Sequence, residues 1–575
     1  MMPAEAPRNL AELALHSAAQ APDKVALRVP VLGQFKSVTY AEFLVRMRRM
    51  AAALQEQGLQ PGDRLAIYSE NCVEWALADW AAQSLGLVVV PIYPTLPPDQ
   101  AQFILNDSEA RVVLTGSAVL NDKVAGRTAA RAMRLREDPV SLAARAEVLD
   151  LEDTAWRAGI AQIKESDPAT IIYTSGTTGT SKGVVLPHRG FVRLVQAIRE
   201  TIDLGPNDTF LCYLPISHVF ERMAGHVLPI GLGATIGYAQ SLTTLMSDMQ
   251  EIRPTVLLAV PRFLENARDR IIDAANKQSP LRKHLFHLMI AQGTARFYGR
   301  PAPLFGLLDR LVGEKVRARF GGRLRFFVAG GMALPKHVAD FYLAFSLPPL
   351  QGYGLTETYG PCSVNLPGNN RPHTVGPPLS TVEIKLADDG EILIRGSSVM
   401  DGYYRLPEET AQALDSEGWF QTGDIGKFDG DSLMITDRKK DILVLGNGKN
   451  VAPQPIENKL REQLHIAEAV LFGDSMDYVC ALIVPDFDRL KSYAAQHGLG
   501  ATDPVDLVGL EAIRGLIKSE VQSVNKGLAD FEKVKRFELL NHSFSVDSGE
   551  LTPSLKVRRK VVREKFQDII ARMQR

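Results

Sequence analysis

The chain of 575 residues has few cysteines, no excess of either charge and no long apolar run. Its four cysteines, at positions 72, 212, 362 and 480, are far apart and form no CxxC pair, which argues against a disulfide framework or a zinc ribbon. Lys plus Arg is 65 and Asp plus Glu is 66, so the formal net charge is -1. A protein that coats nucleic acid or an anionic membrane by bulk charge would need a clear basic excess.

Signals for export or membrane insertion are also missing. The first twenty residues lack a basic segment followed by a compact apolar core. The longest apolar stretches, such as Leu85–Ile92, are far shorter than the roughly 20 residues that cross a bilayer. We therefore expect a cytoplasmic protein, and any membrane contact would be peripheral, on the inner face of the membrane.

Alternating helical and strand patterns run through most of the chain. Residues 41–57 have apolar positions at helical spacing, and a buried strand follows at Leu65–Tyr68. Helix and strand then alternate, and the alternation resumes with strands near 171–173, 256–260, 325–328 and 349–352. This alternation predicts a largely parallel sheet covered by helices. Residues 120–160, which are charged and rich in alanine, are interpreted as a surface excursion.

The pattern of predicted secondary structure changes after about residue 380. Short strands and turns dominate residues 380–436, and after Lys440 the chain has strands and helices of its own. Length alone suggests roughly three or four structural units. The pattern instead predicts two domains in an α/β fold. The first, over residues 1–437, combines fused α/β subdomains with a β-rich part, and the second, over 438–575, is a small α+β domain.

A loop rich in glycine and hydroxyl groups is the strongest local signal. It extends from Thr174 to Gly183 after a strand, with the sequence TSGTTGTSKG. Glycines let a backbone approach an anion, while hydroxyls and the Lys182 ammonium can donate to phosphate oxygens. The lysine does not follow a glycine and no Ser or Thr follows it, so this is not the loop of P-loop NTPases. A flexible polar hairpin is the alternative.

Taken together, several motifs resemble the adenylate-forming, AMP-binding superfamily. They are IIYTSGTTGTSKGVVLPHRG around the loop, FVAGGMAL (327–334), QGYGLTETYG (351–360), GWFQTGDIG (418–426), TDRKKDILVLGNGKNVAPQPIE (436–457) and GELTPSLKVRRK (549–560). Two stretches, LPISHVFER (214–222) and LTPSLK (551–556), resemble the long-chain acyl-CoA synthetase branch. Ser181 departs from the proline that is common in the family.

The resemblance implies ATP-dependent activation of a long-chain fatty acid to acyl-CoA through an acyl-adenylate, with ATP, Mg²⁺ and coenzyme A. Catalysis would then rest on positioning and fixed positive charge. The small domain would be mobile about a hinge near Lys440. Fatty acyl-AMP ligation, loading of an acyl-carrier protein and a non-catalytic acyl- or nucleotide-binding relative stay open as alternatives. No nucleic acid partner is expected, and the oligomeric state is left open.

The resemblance also assigns roles by position. Phosphates would be held by Thr174, Ser175, Gly176, Thr177, Thr178, Gly179 and Lys182. Thr356 would contact the α-phosphate, and Glu357 would ligate Mg²⁺ because a hard cation favours carboxylate oxygen. Adenine would be lined by Gly330, Gly331, Tyr353 and Gly354, and the ribose would be bound by Asp424 and Arg438. His218 would lie at the acyl entrance.

Two further groups are assigned to the separate steps. Lys556 would bridge the carboxylate and the α-phosphate during adenylation, and Gly446, Gly448 and Lys449 would serve the coenzyme A step. Each position has a purely structural alternative, such as a turn aspartate at 424, a core histidine at 218 or a solvated basic run around 556. The final stretch, 557–573, is predicted as one amphipathic helix that either packs on the C-terminal domain or contacts an anionic membrane.

Overall fold

The structure is a computed structural model that describes residues 6–174, 181–545, 547–552 and 556–574. Its contacts divide the chain into two compact units. Unit 1 contains residues 1–385, 393–421 and 428–434, and unit 2 contains 386–392, 422–427 and 435–575. The sequence-based boundary at 437/438 assigns the segments 386–392, 422–427 and 435–437 to the N-terminal domain, so the two divisions differ there.

The strands are β1 Val25–Val31, β2 Gln34–Thr39, β3 Arg64–Tyr68, β4 Val88–Ile92, β5 Val112–Thr115, β6 Arg131–Arg134, β7 Pro168–Thr174, β8 Lys182–Pro187, β9 Thr209–Cys212, β10 Thr235–Tyr238, β11 Val256–Ala259, β12 Phe326–Ala329, β13 Pro349–Leu355, β14 Gly360–Val364, β15 Val382–Leu386, β16 Glu391–Gly396, β17 Gly402–Tyr403, β18 Phe420–Asp429, β19 Ser432–Arg438, β20 Leu443–Val444, β21 Asn450–Val451, β22 Ile466–Phe472, β23 Val479–Pro485 and β24 Val534–Leu539.

The α-helices are α1 Leu10–Gln20, α2 Tyr40–Glu56, α3 Val73–Ser84, α4 Pro98–Asp107, α5 Ala118–Val124, α6 Leu142–Val148, α7 Asp153–Ile160, α8 His188–Thr201, α9 Val219–Glu221, α10 Leu228–Gly231, α11 Leu245–Ile252, α12 Pro261–Asn276, α13 Pro280–Phe297, α14 Phe305–Leu308, α15 Glu314–Arg319, α16 Lys336–Ala344, α17 Pro407–Ala413, α18 Pro453–Arg461, α19 Phe487–Gln496, α20 Pro504–Gly509, α21 Glu511–Asn525, α22 Arg559–Lys565 and α23 Gln567–Gln574. Two segments, Arg222–Val227 and Asp309–Gly313, are π-helical, and Thr356–Thr358 forms a 3₁₀ turn.

Two large sheets form the framework of unit 1. Over the described residues, one sheet has the order β14-β13-β12-β11-β9-β10-β1-β2 and the other has the order β17-β8-β7-β4-β3-β5-β6. The central strands of both sheets pair in parallel. They are buried runs of apolar residues, as expected for parallel sheets that helices cover. This arrangement confirms the predicted α/β class.

The first long helix shows how local sequence sets an element. Thr39 caps α2 through a reciprocal capping box with Glu42. Apolar residues at helical spacing, including Phe43, Met47 and Met50, are buried on its inner side. Its limits agree with the helix predicted over 41–57.

The C-terminal part of the chain has smaller sheets. Strands β15, β16, β18 and β19 form one sheet in the order β15-β16-β18-β19. Within unit 2, β20 pairs with β21, and β22-β23-β24 form a three-stranded sheet. Helices α18 and α21 pack on that sheet around Leu460, Ile483 and Ile517.

Two expectations from the sequence are wrong. Residues 120–160 are not a surface excursion: β6 is the edge strand of a sheet, and Trp156 and Ile160 of α7 are buried. The final stretch is not one helix but two, α22 and α23, separated at Phe566. Its packing on the C-terminal domain, one of the two alternatives, is confirmed, because Val562, Ile570 and Met573 lie in an apolar core of unit 2. In residues 120–160, charged residues around the few apolar positions obscured the core contacts. In the described part of the chain, no helix combines the length and apolarity needed to cross a membrane.

Candidate active site

The carboxyl ends of parallel strands in the eight-stranded sheet carry several of the predicted site residues. His218 follows β9, Gly330 and Gly331 follow β12, and Glu357 follows β13. Strand β11 lies between β9 and β12 in this sheet. Because ligands of open α/β sheets bind outside the carboxyl ends of the strands, this edge is where a nucleotide site is expected.

Close packing at this edge requires glycine. A Cβ atom at Gly330 would lie 3.1 Å from the ring of Phe220, and one at Gly354 would lie 1.6 Å from the carbonyl oxygen of Gly360. Gly331 has a φ of +89°, in the left-handed region that favours glycine. Tyr353 is half-buried on β13 beside these residues. Packing at Gly330 and Gly354 and the backbone conformation at Gly331 therefore favour glycine at three of the positions predicted to line adenine.

Glu357 lies in a well-fixed turn. The 3₁₀ turn Thr356–Thr358 is held by Thr358, whose hydroxyl accepts from the Leu355 amide at 2.9 Å. The next residue, Tyr359, is fully buried, and its hydroxyl donates to the carbonyl of Pro187 at 3.1 Å. The turn is thus attached to the end of β8, the strand that begins with Lys182.

Tyr403 brings Lys182 and Glu357 together. Its hydroxyl donates to Glu357 Oε1 at 3.0 Å, and the Lys182 Nζ lies 5.1 Å from the centre of its ring. Burial, together with the charge of Glu357, raises the pKa of Tyr403, so the phenol stays protonated and acts as a donor. The backbone supports this arrangement, since β17 pairs with β8 and the Met400 amide donates to the Glu357 carbonyl at 2.8 Å.

The donor set at Glu357 fits magnesium bound through phosphates. Among the described residues no group of three or more His, Cys, Asp or Glu side chains could form a metal cage. Mg²⁺ is commonly held by one or two carboxylates, with water and substrate phosphates completing its octahedron. Glu357 is half-buried, and the Tyr403 hydroxyl orients its carboxylate. One oriented carboxylate close to a lysine is compatible with a metal-bound triphosphate.

The ends of the predicted phosphate loop are defined, although Ser175, Gly176, Thr177, Thr178 and Gly179 lie outside the described residues. Thr174 ends β7 and pairs with Lys182 at the start of β8, in an antiparallel ladder. The predicted strand on each side of the loop is confirmed. The predicted loop is followed by β8 rather than by a helix, and Lys182 is a cation at the start of that strand.

Unit 2 holds a second set of charged candidates. Asp424 is buried in β18 and forms an ion pair with Arg438, with 3.2 Å between Asp424 Oδ1 and Arg438 Nε. Lys556 is half-buried near both residues. Burial and the positive charge of Arg438 lower the pKa of Lys556 to about 8, while Asp424 acts in the opposite direction. Asp424 is therefore a buried strand residue rather than a turn aspartate.

The residues predicted for the hinge and the coenzyme A step also lie in unit 2. Lys440 is exposed in a turn after β19, where the Asp441 amide donates to the Arg438 carbonyl at 2.9 Å. Gly446, Gly448 and Lys449 lie in the connection between β20 and β21, and Gly448 has a φ of +79°. The Lys449 Nζ lies 4.8 Å from the centre of the Phe531 ring.

Comparisons with known proteins agree with this geometry. The family model described as AMP-binding enzyme matches residues 15–404, and the model of the AMP-binding enzyme C-terminal domain matches residues 440–575. The chain belongs to the AMP-binding enzyme family.

Several members of this family are similar over nearly their full length. The long-chain-fatty-acid–CoA ligase FadD15 of Mycobacterium bovis is 34% identical over 97% of this chain and 96% of its own. The human long-chain-fatty-acid–CoA ligase 1 is 31% identical over 93% of this chain and 82% of its own. The crystal structure of ATP-bound MatB from Rhodopseudomonas palustris has a TM-score of 0.74 at 24% identity, covering 98% of this chain and 99% of that one, which shows the fold.

In this AMP-binding enzyme, sequence reasoning missed the role of Tyr403. The residue lies in DGYYR, where two adjacent tyrosines follow a glycine, and no spacing rule distinguishes it.

Sequence reasoning also missed Asn71, whose side chain donates to the Leu214 carbonyl at 2.6 Å and accepts from the Ile216 amide at 3.0 Å. Asn71 thereby fixes the segment that leads to His218. The His218 Nδ1 accepts from the Phe220 amide at 3.1 Å, and its ring packs edge-on against Tyr93.

A buried ionic network was also missed, although it includes the last residue of the LPISHVFER motif. Arg222 donates to Asp79 Oδ1 at 2.5 Å and to the Thr170 hydroxyl at 2.6 Å. His226 approaches Asp79 Oδ2 at 3.2 Å. Burial alone would raise the pKa of Asp79, but the charge of Arg222 and the hydrogen bond with His226 lower it. Thr170 lies in β7, so this network is attached to the strand that precedes the predicted phosphate loop.

Proposed function

We propose that this protein is a long-chain fatty acid–CoA ligase. It uses ATP to convert the fatty acid into an acyl-adenylate and then transfers the acyl group to coenzyme A, releasing pyrophosphate and AMP. The relatives that share nearly the whole chain carry the name of this activity. The substrate class rests on that relationship, and the chemistry rests on the arrangement of charged residues in each unit.

The observation that carries the proposed chemistry is the contact of Tyr403 with both Lys182 and Glu357. A cation and a carboxylate joined through one tyrosine supply the two kinds of charge that a magnesium-bound triphosphate needs. Lys182 would contact phosphate oxygens, and Glu357 would hold Mg²⁺. Bound there, Mg²⁺ would neutralise negative charge on the phosphates.

In the first step, a carboxylate oxygen of the fatty acid attacks the α-phosphorus. The bond to the bridging oxygen breaks, and pyrophosphate leaves with the electron pair. Charge increases on the phosphoryl oxygens, so a positive group placed there lowers the barrier. We assign this role to Lys556, and we assign the ribose hydroxyls to Asp424, because a carboxylate can accept from two adjacent hydroxyls. Arg438 would orient Asp424 through their ion pair.

In the second step, the coenzyme A thiolate attacks the acyl carbon and AMP leaves. We assign the loop that contains Gly446, Gly448 and Lys449 to this step, and Lys440 to the hinge that separates the two steps. Lys440→Pro restricts φ at the hinge, whereas Lys440→Ala keeps the backbone free. The proline variant should retain acyl-adenylate formation and lose thioester formation, while the alanine variant retains both. Equal loss of both steps in the proline variant would contradict the assignment of Lys440 to the hinge.

The decisive assay supplies the purified full-length protein with ATP, Mg²⁺ and coenzyme A. Straight-chain acids from C2 to C20 and one aromatic acid are tested, and release of AMP is followed. We expect the highest kcat/KM with long-chain acids and product formation that depends on coenzyme A. AMP release that needs an acyl-carrier protein, or release of pyrophosphate without AMP when coenzyme A is present, would replace the proposed function with an alternative. Release of neither AMP nor pyrophosphate with any acid would indicate a non-catalytic relative.

A further inference from the structure

A helical segment of unit 1 exposes leucines on its outer side. The segment comprises α14, the π-helical turn Asp309–Gly313 and α15. Leu304, Leu307 and Leu311 precede or lie within it at positions i, i+3 and i+7, and they are 46%, 61% and 45% exposed. Residues at this spacing lie on one side of a helix. We call these three leucines, with the adjacent Arg310 and Lys315, the leucine–basic face.

The other side of the same segment is already buried. Phe305, Leu308, Val316 and Phe320 belong to the large apolar core beside the eight-stranded sheet. Core packing therefore explains the inner side and leaves the outer leucines unexplained. Isolated apolar residues are common on protein surfaces, but three on one helical side form a patch that favours an interaction.

Charge around the leucine–basic face is mostly positive. Residues 280–323 contain nine Lys or Arg and two Asp or Glu, whereas the whole chain has a net charge of -1. Of the two acids, Asp309 forms an ion pair with Arg317 at 2.6 Å. Within the residues that the structure describes, Arg310 and Lys315 form no ion pair, and both are exposed. This stretch therefore presents positive charge next to apolar side chains.

The combination of exposed leucines and basic residues indicates which kind of partner fits this face. Helices that bind a membrane interface insert apolar side chains while flanking Lys and Arg contact anionic head groups. Two copies of this protein would place like charges opposite each other, which disfavours self-association through this face. The C-terminal helices, which the sequence offered for membrane contact, bury Val562, Ile570 and Met573 in unit 2 instead.

We propose that the leucine–basic face docks unit 1 onto the surface of a bilayer that contains anionic phospholipid. Leu304, Leu307 and Leu311 enter the boundary between head groups and acyl chains, and Arg310 and Lys315 contact lipid phosphates. The net charge of the whole protein conceals this local basic surface. Binding does not depend on the proposed ligase reaction, because partition onto vesicles needs neither ATP nor coenzyme A.

The test is flotation of the full-length protein with vesicles of phosphatidylcholine alone or with 30% phosphatidylglycerol, the latter roughly the anionic content that creates a negative surface potential. We expect partition onto the anionic vesicles that weakens as salt is raised. The variant Leu304→Ser/Leu307→Ser/Leu311→Ser should bind the vesicles at least about tenfold more weakly, because each substitution removes apolar surface that the bilayer would bury. A matched variant, Leu32→Ser/Val140→Ser/Leu242→Ser, changes exposed apolar residues elsewhere in unit 1 and should bind like the parent.

Charge is tested separately. Arg310→Gln/Lys315→Gln should weaken partition about fivefold for each charge removed, whereas Lys36→Gln/Arg199→Gln, which neutralises exposed cations elsewhere, should not. Circular dichroism and sedimentation velocity accompany each variant. The proposal fails if the parent does not float with anionic vesicles, or if the matched controls lose binding equally. It also fails if the leucine variant alters only the sedimentation coefficient, because the face would then join copies of the chain.

Discussion

Two groups of charged side chains, one in each unit, are held in opposite ways. In unit 1, Asp79, Arg222 and His226 are at most 2% exposed, and both Arg222 and His226 pair with Asp79. In unit 2, Lys556 and Arg438 are two cations beside the carboxylate of Asp424, and the Arg438 side chain is 46% exposed. Both groups contain arginine and aspartate, so residue type alone does not separate them.

The difference shows what each group is suited to do. A buried ion pair is suited to a structural role, because removing one partner leaves an uncompensated charge in the interior. A pair of cations that share one carboxylate keeps a local positive excess, which an anionic ligand can neutralise. We therefore expect substitutions in the first group to lower stability and substitutions in the second to lower rate. Four experiments, in order of decreasing effect, test this distinction.

The largest effect is expected for Arg222→Ala. Loss of this cation leaves the Asp79 carboxylate buried without its main partner, which should lower the free energy of unfolding by about 3–5 kcal/mol. Urea unfolding can be followed by tryptophan fluorescence, since Trp75 and Trp80 pack against His226. The control is Arg193→Ala, which breaks an exposed pair with Glu165 and should change stability by about 0.5 kcal/mol or less. Equal stability of the Arg222 variant and the parent would contradict the structural role.

Lys556→Ala is expected to lower the rate of acyl-adenylate formation rather than the stability of the protein. Removing a cation that stabilises charge in the transition state should slow acyl-adenylate formation about 100–1000-fold. Pyrophosphate exchange measures this step, and the urea midpoint should stay close to that of the parent. Lys560→Ala removes an exposed lysine of the same basic run and should leave the rate unchanged. A variant at 556 that exchanges pyrophosphate as fast as the parent would exclude the proposed role.

The pH dependence of adenylation tests the same lysine without removing it. With its pKa lowered to about 8, Lys556 is protonated and positive below that pH and loses its charge above it. The kcat/KM for adenylation should therefore fall as pH rises, about tenfold for each unit above pH 8. Lys556→Arg keeps a charged guanidinium and should remove this fall, at a lower overall rate. An unchanged profile in the arginine variant would assign the titration to another group.

Tyr403→Phe should have the smallest effect. It removes the hydrogen bond to Glu357 and keeps the ring beneath Lys182. One hydrogen bond contributes about 0.5–1.5 kcal/mol net, so the Mg²⁺ concentration for half-maximal adenylation should rise about 2–10-fold. Tyr404→Phe is the matched control at the adjacent position and should leave this concentration unchanged. A larger rise of this Mg²⁺ concentration in the control would show that the conformation of the segment, rather than the Tyr403 hydroxyl, determines the Mg²⁺ dependence.

Much of the fold could be predicted from local patterns. The capping box at Thr39 and the apolar spacing after it define α2, and the strands on either side of the phosphate loop follow from their apolar runs. Predictions failed where apolar positions were sparse among charged ones. Residues 120–160 have that composition, yet they provide an edge strand and the buried Trp156.

The candidate site was predicted only in part. Motif order identified Lys182, Glu357 and Lys556, because these residues lie within segments that resemble known family motifs. Tyr403 lies in no such signal, and its contact with Glu357 joins residues 46 positions apart. Arg222 was noticed as part of a motif, but its partner Asp79 is 143 positions away. No local pattern reports a contact at that separation.

The α/β class, the order of the motifs and the chemical types available to the site follow from the linear sequence, since periodicity and residue chemistry are local properties. Three features come from the folded chain instead: Tyr403 links a lysine to a carboxylate, Arg222 is an interior residue, and three leucines remain on the outside of a helix with a buried inner side. Burial and charge compensation depend on which segments pack together, and a linear pattern does not contain that information.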